Sequence, residues 1–438
     1  MYISYLVVKV LALIVLVLLI PVAQGYLDPV VLAGSVVFLQ LGMIFIAKNF
    51  KPLALFLIFA FPYIYVALPH FSDGSFPLTL AYTMFDNEVY YANVLVVHSL
   101  FIAVTALFIP FIKKPFVIKD YLPQKDNLFV FYGLVFLMGC IIVFGRSGTS
   151  IFESGGYGSA DANVQLAGGL AIFEYFLVLF PLAYVYSGRK KKHLMILIAI
   201  SLCFCAKGML FGGRIEAIQA VLQLFILFID SKTLKLRKVI LSMVIPVFAM
   251  VFFGFIRSNP NIGFAEILEV IGDNSSLSMY TFFGNHIDVY YSSTRLYAFV
   301  EEGILTFGDR LYIFALNILA VVVPYGKLPE AANLAAYRQM EYPAGGGGLA
   351  SMFFFVFLSY PGVILFASIL GVLIRRIISS HQPIVLLYGL MILSTYPRWF
   401  AYSPIVFFKM AAYILPVYFI INLVINKRKT KLKALSAE

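Results

Sequence analysis

Charge is what this sequence has least of. Of its 438 residues only 12% are Asp, Glu, Lys or Arg, whereas 62% are hydrophobic; a soluble domain runs nearer a quarter charged and about half apolar. That excludes an ordinary soluble enzyme. Cysteine is scarce too: Cys140, Cys203 and Cys205 all lie inside apolar segments, in neither the number nor the setting of a disulfide framework or a zinc site with His partners. They read as small core residues. No glycine loop followed by Lys offers a phosphate cradle, which argues against ATP-driven transport. Acidic residues are outnumbered, 21 against 32 Lys and Arg, for a net charge of +11. In a soluble chain that balance would suggest nucleic acid. Here the basic runs separate apolar segments of helix-spanning length, and they report membrane orientation instead.

What is present is a succession of apolar runs of about 17 to 25 residues, enough to cross a hydrocarbon core of about 30 Å as helices. They cover roughly residues 3–22, 28–47, 52–68, 91–112, 127–145, 168–187, 194–211, 215–230, 239–256, 349–374, 383–398 and 404–426. The expected fold class is therefore all-α, a polytopic transmembrane helical bundle of about twelve spans. Lys and Arg in short loops stay cytoplasmic. The loops holding Lys48 and Lys51, Lys113 to Lys125, Arg189 to Lys192, Lys232 to Lys238, Arg375 with Arg376, and the tail from Lys427 to Lys433 alternate in the required way. Both termini are then expected in the cytoplasm.

The sequence divides into N-terminal spans (1–256), an external region (257–348), C-terminal spans (349–426) and a basic tail (427–438). Within the external region, residues 311–324 form an apolar stretch ending at Pro324 that is too short to span. A crossing there would also put every later basic loop on the wrong side, so an interfacial or re-entrant helix is expected.

Seven arginines fall outside the topogenic loops: Arg146, Arg214, Arg257, Arg295, Arg310, Arg338 and Arg398. All lie at or beyond the external boundary, against the orientation rule. Either they snorkel or pair with external acids, or they hold an anionic substrate, for which a guanidinium fork suits phosphate better than a lysine. Gly212 and Gly213 can form a tight turn that presents Arg214; the alternative is a plain hairpin with a snorkelling Arg beside Glu216. Gly345, Gly346, Gly347 and Gly348 precede Ser351 and are read either as a freely bending loop with exposed backbone donors or as a linker. His286, with Asp288 two residues on, is a candidate base or a structural residue, and Glu341 is a further carboxylate. Arg398 and Trp399, in a short external turn, fit an interface belt as well as a binding site.

The glycine-glycine-Arg turn, Gly212 to Arg214, the glycine-rich stretch Gly345 to Ser351 with Gly362, about a dozen spans and one large late external region together resemble the bacterial O-antigen and oligosaccharide repeat-unit polymerases. Many members carry a Glu shortly after the Ser; here Met352, Phe353, Phe354 and Phe355 stand there, with Glu341 as a substitute.

The resemblance implies a membrane C-type glycosyltransferase at the outer face of a bacterial plasma membrane. It would move a growing glycan from undecaprenyl diphosphate onto the next lipid-linked repeat unit, without metal or cofactor. Arg214, Arg257, Arg295 and Arg338 are then candidates for the leaving diphosphate, and His286, Glu341 and Asp288 for the base. Gly212, Gly213, Gly346, Gly347, Gly348, Ser351 and Arg398 are candidates for substrate contact. Implied partners are the undecaprenyl-diphosphate-linked oligosaccharide and membrane lipids, with a chain-length regulator and a flippase as candidates, and no nucleic acid. Three rival readings stay open: a glycan ligase, a flippase or other transporter, and a metal-dependent glycosyltransferase using Asp86 and Glu88.

Overall fold

The computed structural model describes residues 2–65, 88–145, 169–210, 214–242, 279–341 and 347–435. Among these residues every regular element is helical, as a backbone in apolar surroundings requires when it must satisfy its own donors and acceptors. Six helices are long and apolar enough to cross a membrane: α1 (Tyr2–Ala23), α2 (Pro29–Ala47), α4 (Glu88–Phe108), α7 (Lys191–Leu210), α12 (Ala350–Ser379) and α14 (Ile405–Leu435).

Four expected spans are shorter apolar helices, at Lys51–Tyr65, Leu128–Phe144, Phe173–Tyr186 and Ile215–Ile229. Pro62 divides the first of these into α3 (Lys51–Ala60) and a turn at Pro62–Tyr65, because proline cannot donate to the helix ladder. The next two are α5 (Leu128–Phe144) and the body of α6 (Gly169–Tyr186); the fourth is α8 (Arg214–Leu224), which winds into a π turn at Phe225–Ile229. The expected span 239–256 lies outside the described residues from 243 onward.

Residues 257–348, expected to be external, carry three further helices, α9 (Met279–Glu301), α10 (Phe307–Leu319) and α11 (Leu334–Glu341), and α13 (Pro383–Trp399) precedes α14. The helix expected at 311–324 is α10 and begins four residues earlier. Thr306 and Asp309 form a reciprocal capping box that fixes its start. Its outer face shows Phe307, Leu311, Ile318 and Leu319, as suits an interfacial helix. In contrast, α9 is buried along most of its length, which a helix lying on a surface is not.

The chain forms two compact units that interleave in sequence. The first comprises Met1–Val117, Asp230–Ser379 and Tyr396–Ile405; the second comprises Ile118–Ile229, Ser380–Thr395 and Val406–Glu438. In the first, α4 packs against α1, α2, α9 and α12. In the second, α5 packs on α6 and α8 on α7, with Phe204 stacked on Phe173 and Phe176 at 4.1 and 4.0 Å.

The 30 residues of α12 are two helical arms folded back on each other at Leu358 and Ser359, so the span expected over 349–374 is not one straight crossing. Leu358 and Ser359 leave helical geometry, Ser359 with φ 55°. Phe354 and Phe366 stack at 4.1 Å, although twelve residues of straight helix would separate them by about 18 Å. Gly362 lies against the Phe354 carbonyl with no room for a Cβ, so the reversal requires glycine there.

The reversal exposes carbonyls that have lost their helical donors, and Arg310 of α10 fills the gap. Its Nη2 donates to Phe355 O at 3.0 Å and to Ser359 Oγ at 2.6 Å, and its Nε donates to Val356 O. Arg310 therefore leaves the set of substrate-facing cations. Lys51, counted with the loop cations, is also inside: its Nζ is 2.8 Å from the Asp230 carboxylate, both side chains buried. Of the cysteines, Cys205 is buried but Cys203 is exposed on the outer face of α7.

Arg310→Met should lower the unfolding midpoint of the detergent-solubilised protein strongly, since each hydrogen bond to a charged group contributes about 1.5–3 kcal/mol and the freed acceptors stay buried. Arg310→Lys should recover part of the loss. A midpoint unchanged by Arg310→Met would remove the clip from this account.

Candidate functional site

The turn after α13 is the hub of the first unit. Trp399, Phe400 and Ala401 are buried, so Trp399 is not part of an interface belt. It packs on Phe56 at 5.2 Å and on Phe366 at 6.1 Å. Phe400 touches the rings of Tyr63, His98 and Phe101 at 5.4, 5.7 and 6.2 Å. The described end of the glycine stretch, from Gly347, is laid along this turn. Gly348 N–H donates to Ala401 O at 3.2 Å and Ala350 N–H to Phe400 O at 2.8 Å, while Leu349 N–H donates to Ser293 Oγ of α9 at 2.9 Å.

Expectation and structure part here. At Gly347 and Gly348 the chain is a buried, hydrogen-bonded strap, not a freely bending loop. A Cβ on Gly347 would collide with the backbone of Tyr402, and Gly348 holds φ +127°. Glycine is required by close approach, and the N–H groups of residues 348–350 are already engaged.

Ser351, next along, is buried and 3.1 Å from His98 Nδ1 of α4. Sequence reasoning passed over His98. Its only signal was a lone His in the middle of an apolar span, where polar groups mark function by default.

His286 lies in the first turns of α9, not in a loop. Its ring sits 4.7 Å from Tyr63 and 6.1 Å from Phe59, and the neighbouring Asn285 accepts from the Tyr402 hydroxyl. Burial pushes the His286 pKa down to about 4. It is therefore neutral at pH 7 and weakly basic. Asp288 stands two residues on in the same helix, a spacing at which side chains point to different sides.

The arginines of α9 and α11 fare differently. Arg295 of α9 is 2% exposed and Arg338 of α11 is 0% exposed, and their helices meet where Phe299 and Tyr337 lie 6.1 Å apart. Guanidinium groups are rarely buried so fully. Near the end of α9 the structure adds two carboxylates that the sequence reading missed. Glu301 accepts from Tyr297 at 3.3 Å and Glu302 from Tyr90 at 3.2 Å.

Arg398 is half-buried at the end of α13. Arg214 opens α8 in the second unit, but its side chain lies outside the described residues, as do that of Glu341 and the whole of Gly212, Gly213, Arg257 and Gly346. The described candidates are thus Arg295, His286 and Asp288 of α9 and Arg338 of α11, with Gly347 packed and Gly348 hydrogen-bonded along the turn after α13 and His98 packed on its Phe400. Compared with known protein families, curated proteins and solved structures, the chain matches none.

Gly347→Ala should sharply reduce folded protein in the membrane, whereas Gly34→Ala, with open space around it in α2, should not; equal abundance of the two variants would refute the packed strap. His286 sets a pH dependence whose sign is fixed. Its folded pKa, about 4, is below the unfolded value of about 6.5, so below pH 6.5 the unfolded chain binds the proton first. Stability should fall between pH 6.5 and 4, and by less in His286→Phe. Parallel midpoint-versus-pH curves for the two proteins would contradict this.

Proposed function

We propose that this protein polymerises undecaprenyl-diphosphate-linked oligosaccharide repeat units by glycosyl transfer at the outer face of a bacterial plasma membrane, building O-antigen or capsule-type polysaccharide. The observation that carries the reading is the burial of Arg295 and Arg338 on two helices in contact within the external region. Two cations held in a water-poor setting suit a leaving diphosphate, whose charge develops as the glycosidic bond breaks, and they act without metal. The full scheme has about twelve spans with both termini cytoplasmic and residues 257–348 external. Arg214, Arg257 and Arg398 add donors. The acceptor hydroxyl gives its proton to Asp288, Glu341 or His286; the low basicity of His286 favours the carboxylates.

A second reading, transport of lipid-linked oligosaccharide, draws on one observation: buried glutamines in the second unit, Gln219 and Gln223. Deletion separates the two. Loss of long glycan with single repeats still attached belongs to a polymerase, whereas loss of all glycan belongs to a ligase or a transporter.

Purified protein given lipid-linked repeat units should yield a ladder of products. Arg338→Lys and Arg214→Lys keep the charge but lose the bidentate fork, and each should cut the rate by about two or three powers of ten at normal abundance. Wild-type protein that makes no ladder, or lysine variants that make polymer of normal length and amount, would count against the proposal.

A further inference from the structure

Helix α8 carries three buried polar residues on successive turns of one face: Glu216, Gln219 and Gln223, at 2%, 1% and 0% exposure. Spacings of three and four residues bring such side chains into line. Opposite them α13 presents Ser394 and Thr395, both at 0% exposure. The amide nitrogen of each glutamine is engaged. Gln219 Nε2 donates to Thr395 O at 3.4 Å. Gln223 Nε2 donates to Leu177 O of α6 at 2.8 Å and lies 3.4 Å from Ser394 Oγ and 3.5 Å from Met391 Sδ.

The acceptor ends are a different matter: among the described residues, neither Gln219 Oε1 nor Gln223 Oε1 has a hydrogen-bond partner. Buried carbonyl oxygens are seldom left so, and two on adjacent turns of one helix define a line of acceptor sites. One turn before Leu177 on the same helix, Glu174 lines a small cavity with Lys409 and Tyr413, with room for about one water molecule. All of these residues belong to the second unit.

We propose that this seam is a binding site for hydroxyl groups inside the bundle, with Gln219 and Gln223 as acceptors, separate from the arginine-lined external region. The ligand chemistry is an O–H donor. Water supplies it, and so does a sugar hydroxyl of a glycan passing through or docking in the second unit. Charged side chains suit neither task as well: a neutral amide acceptor binds a hydroxyl without the cost of burying an ion.

Met391 is a built-in reporter, because its sulfur lies against Gln223 and it is as fully buried as Met138 of α5. In full-length protein in lipid nanodiscs, millisecond X-ray radiolysis with mass spectrometry should modify Met391 about tenfold faster than Met138, since bound water next to a side chain generates the radical in place. Adding lipid-linked oligosaccharide distinguishes the sources. Protection of Met391 assigns the site to glycan hydroxyls, and an unchanged rate assigns it to water. Gln219→Leu combined with Gln223→Leu should bring Met391 down to the Met138 rate. If that variant does not fold, the wild-type ratio decides alone. Met391 as unreactive as Met138 in the wild type overturns the proposal, whatever the outcome of the polymerisation assay.

Discussion

A helix that ends in apolar surroundings leaves carbonyl groups without donors, and much of this structure depends on how those groups are satisfied. The chain uses long cations. Lys9 of α1 reaches the end of α4 and donates to the carbonyls of Ala106, Leu107 and Ile109 at 2.6, 2.7 and 2.8 Å. Lys207 of α7 donates to Ile142 O and Val143 O at the end of α5. Arg189 donates to Lys119 O and Leu122 O at 2.7 and 2.9 Å, and Arg310 does the same at the α12 reversal. Each is a charge-assisted contact that also suits the negative end of a helix dipole.

This use of cations reshapes the functional argument. An excess of positive charge in an apolar chain invites an anionic ligand as its explanation, but part of the excess is bound to the protein's own backbone. Within residues 257–348 the burial of Arg295 and Arg338 is more telling, on helices joined by the ring contact of Phe299 with Tyr337. Subtracting the structural cations narrows the candidates by physical role, not by position in the sequence.

The second recurrent constraint is close approach. The strap at Gly347 and Gly348, the fold-back at Gly362 and the crossing at Gly371, where Phe108 of α4 presses on the backbone, all use the missing Cβ to bring backbones together. These contacts seat Ser351 beside His98 and fix the hub turn against α9. The aromatic residues then fill the space around the turn: Phe56, Phe101, Phe366 and Trp399 form one continuous set of ring contacts with Phe400.

The sequence by itself determined the helical class, the apolar runs of α1, α2, α4, α7, α12 and α14, and an amphipathic helix near residue 311, because hydrophobicity and its period are local properties. It also singled out Arg295, Arg338 and His286 as chemically capable. Only the tertiary structure showed which cations are engaged inside the protein, Arg310 and Lys51 among them. That Arg310 serves a hairpin, that Lys51 answers Asp230, that Gly347 and Gly348 form a strap and that His98 meets Ser351 are facts about partners 46 to 253 residues away in sequence. Composition and spacing describe what a side chain offers. Whether a guanidinium or an imidazole is used up by a carbonyl, a hydroxyl or a ring depends on which distant backbone ends beside it, and that follows only from packing.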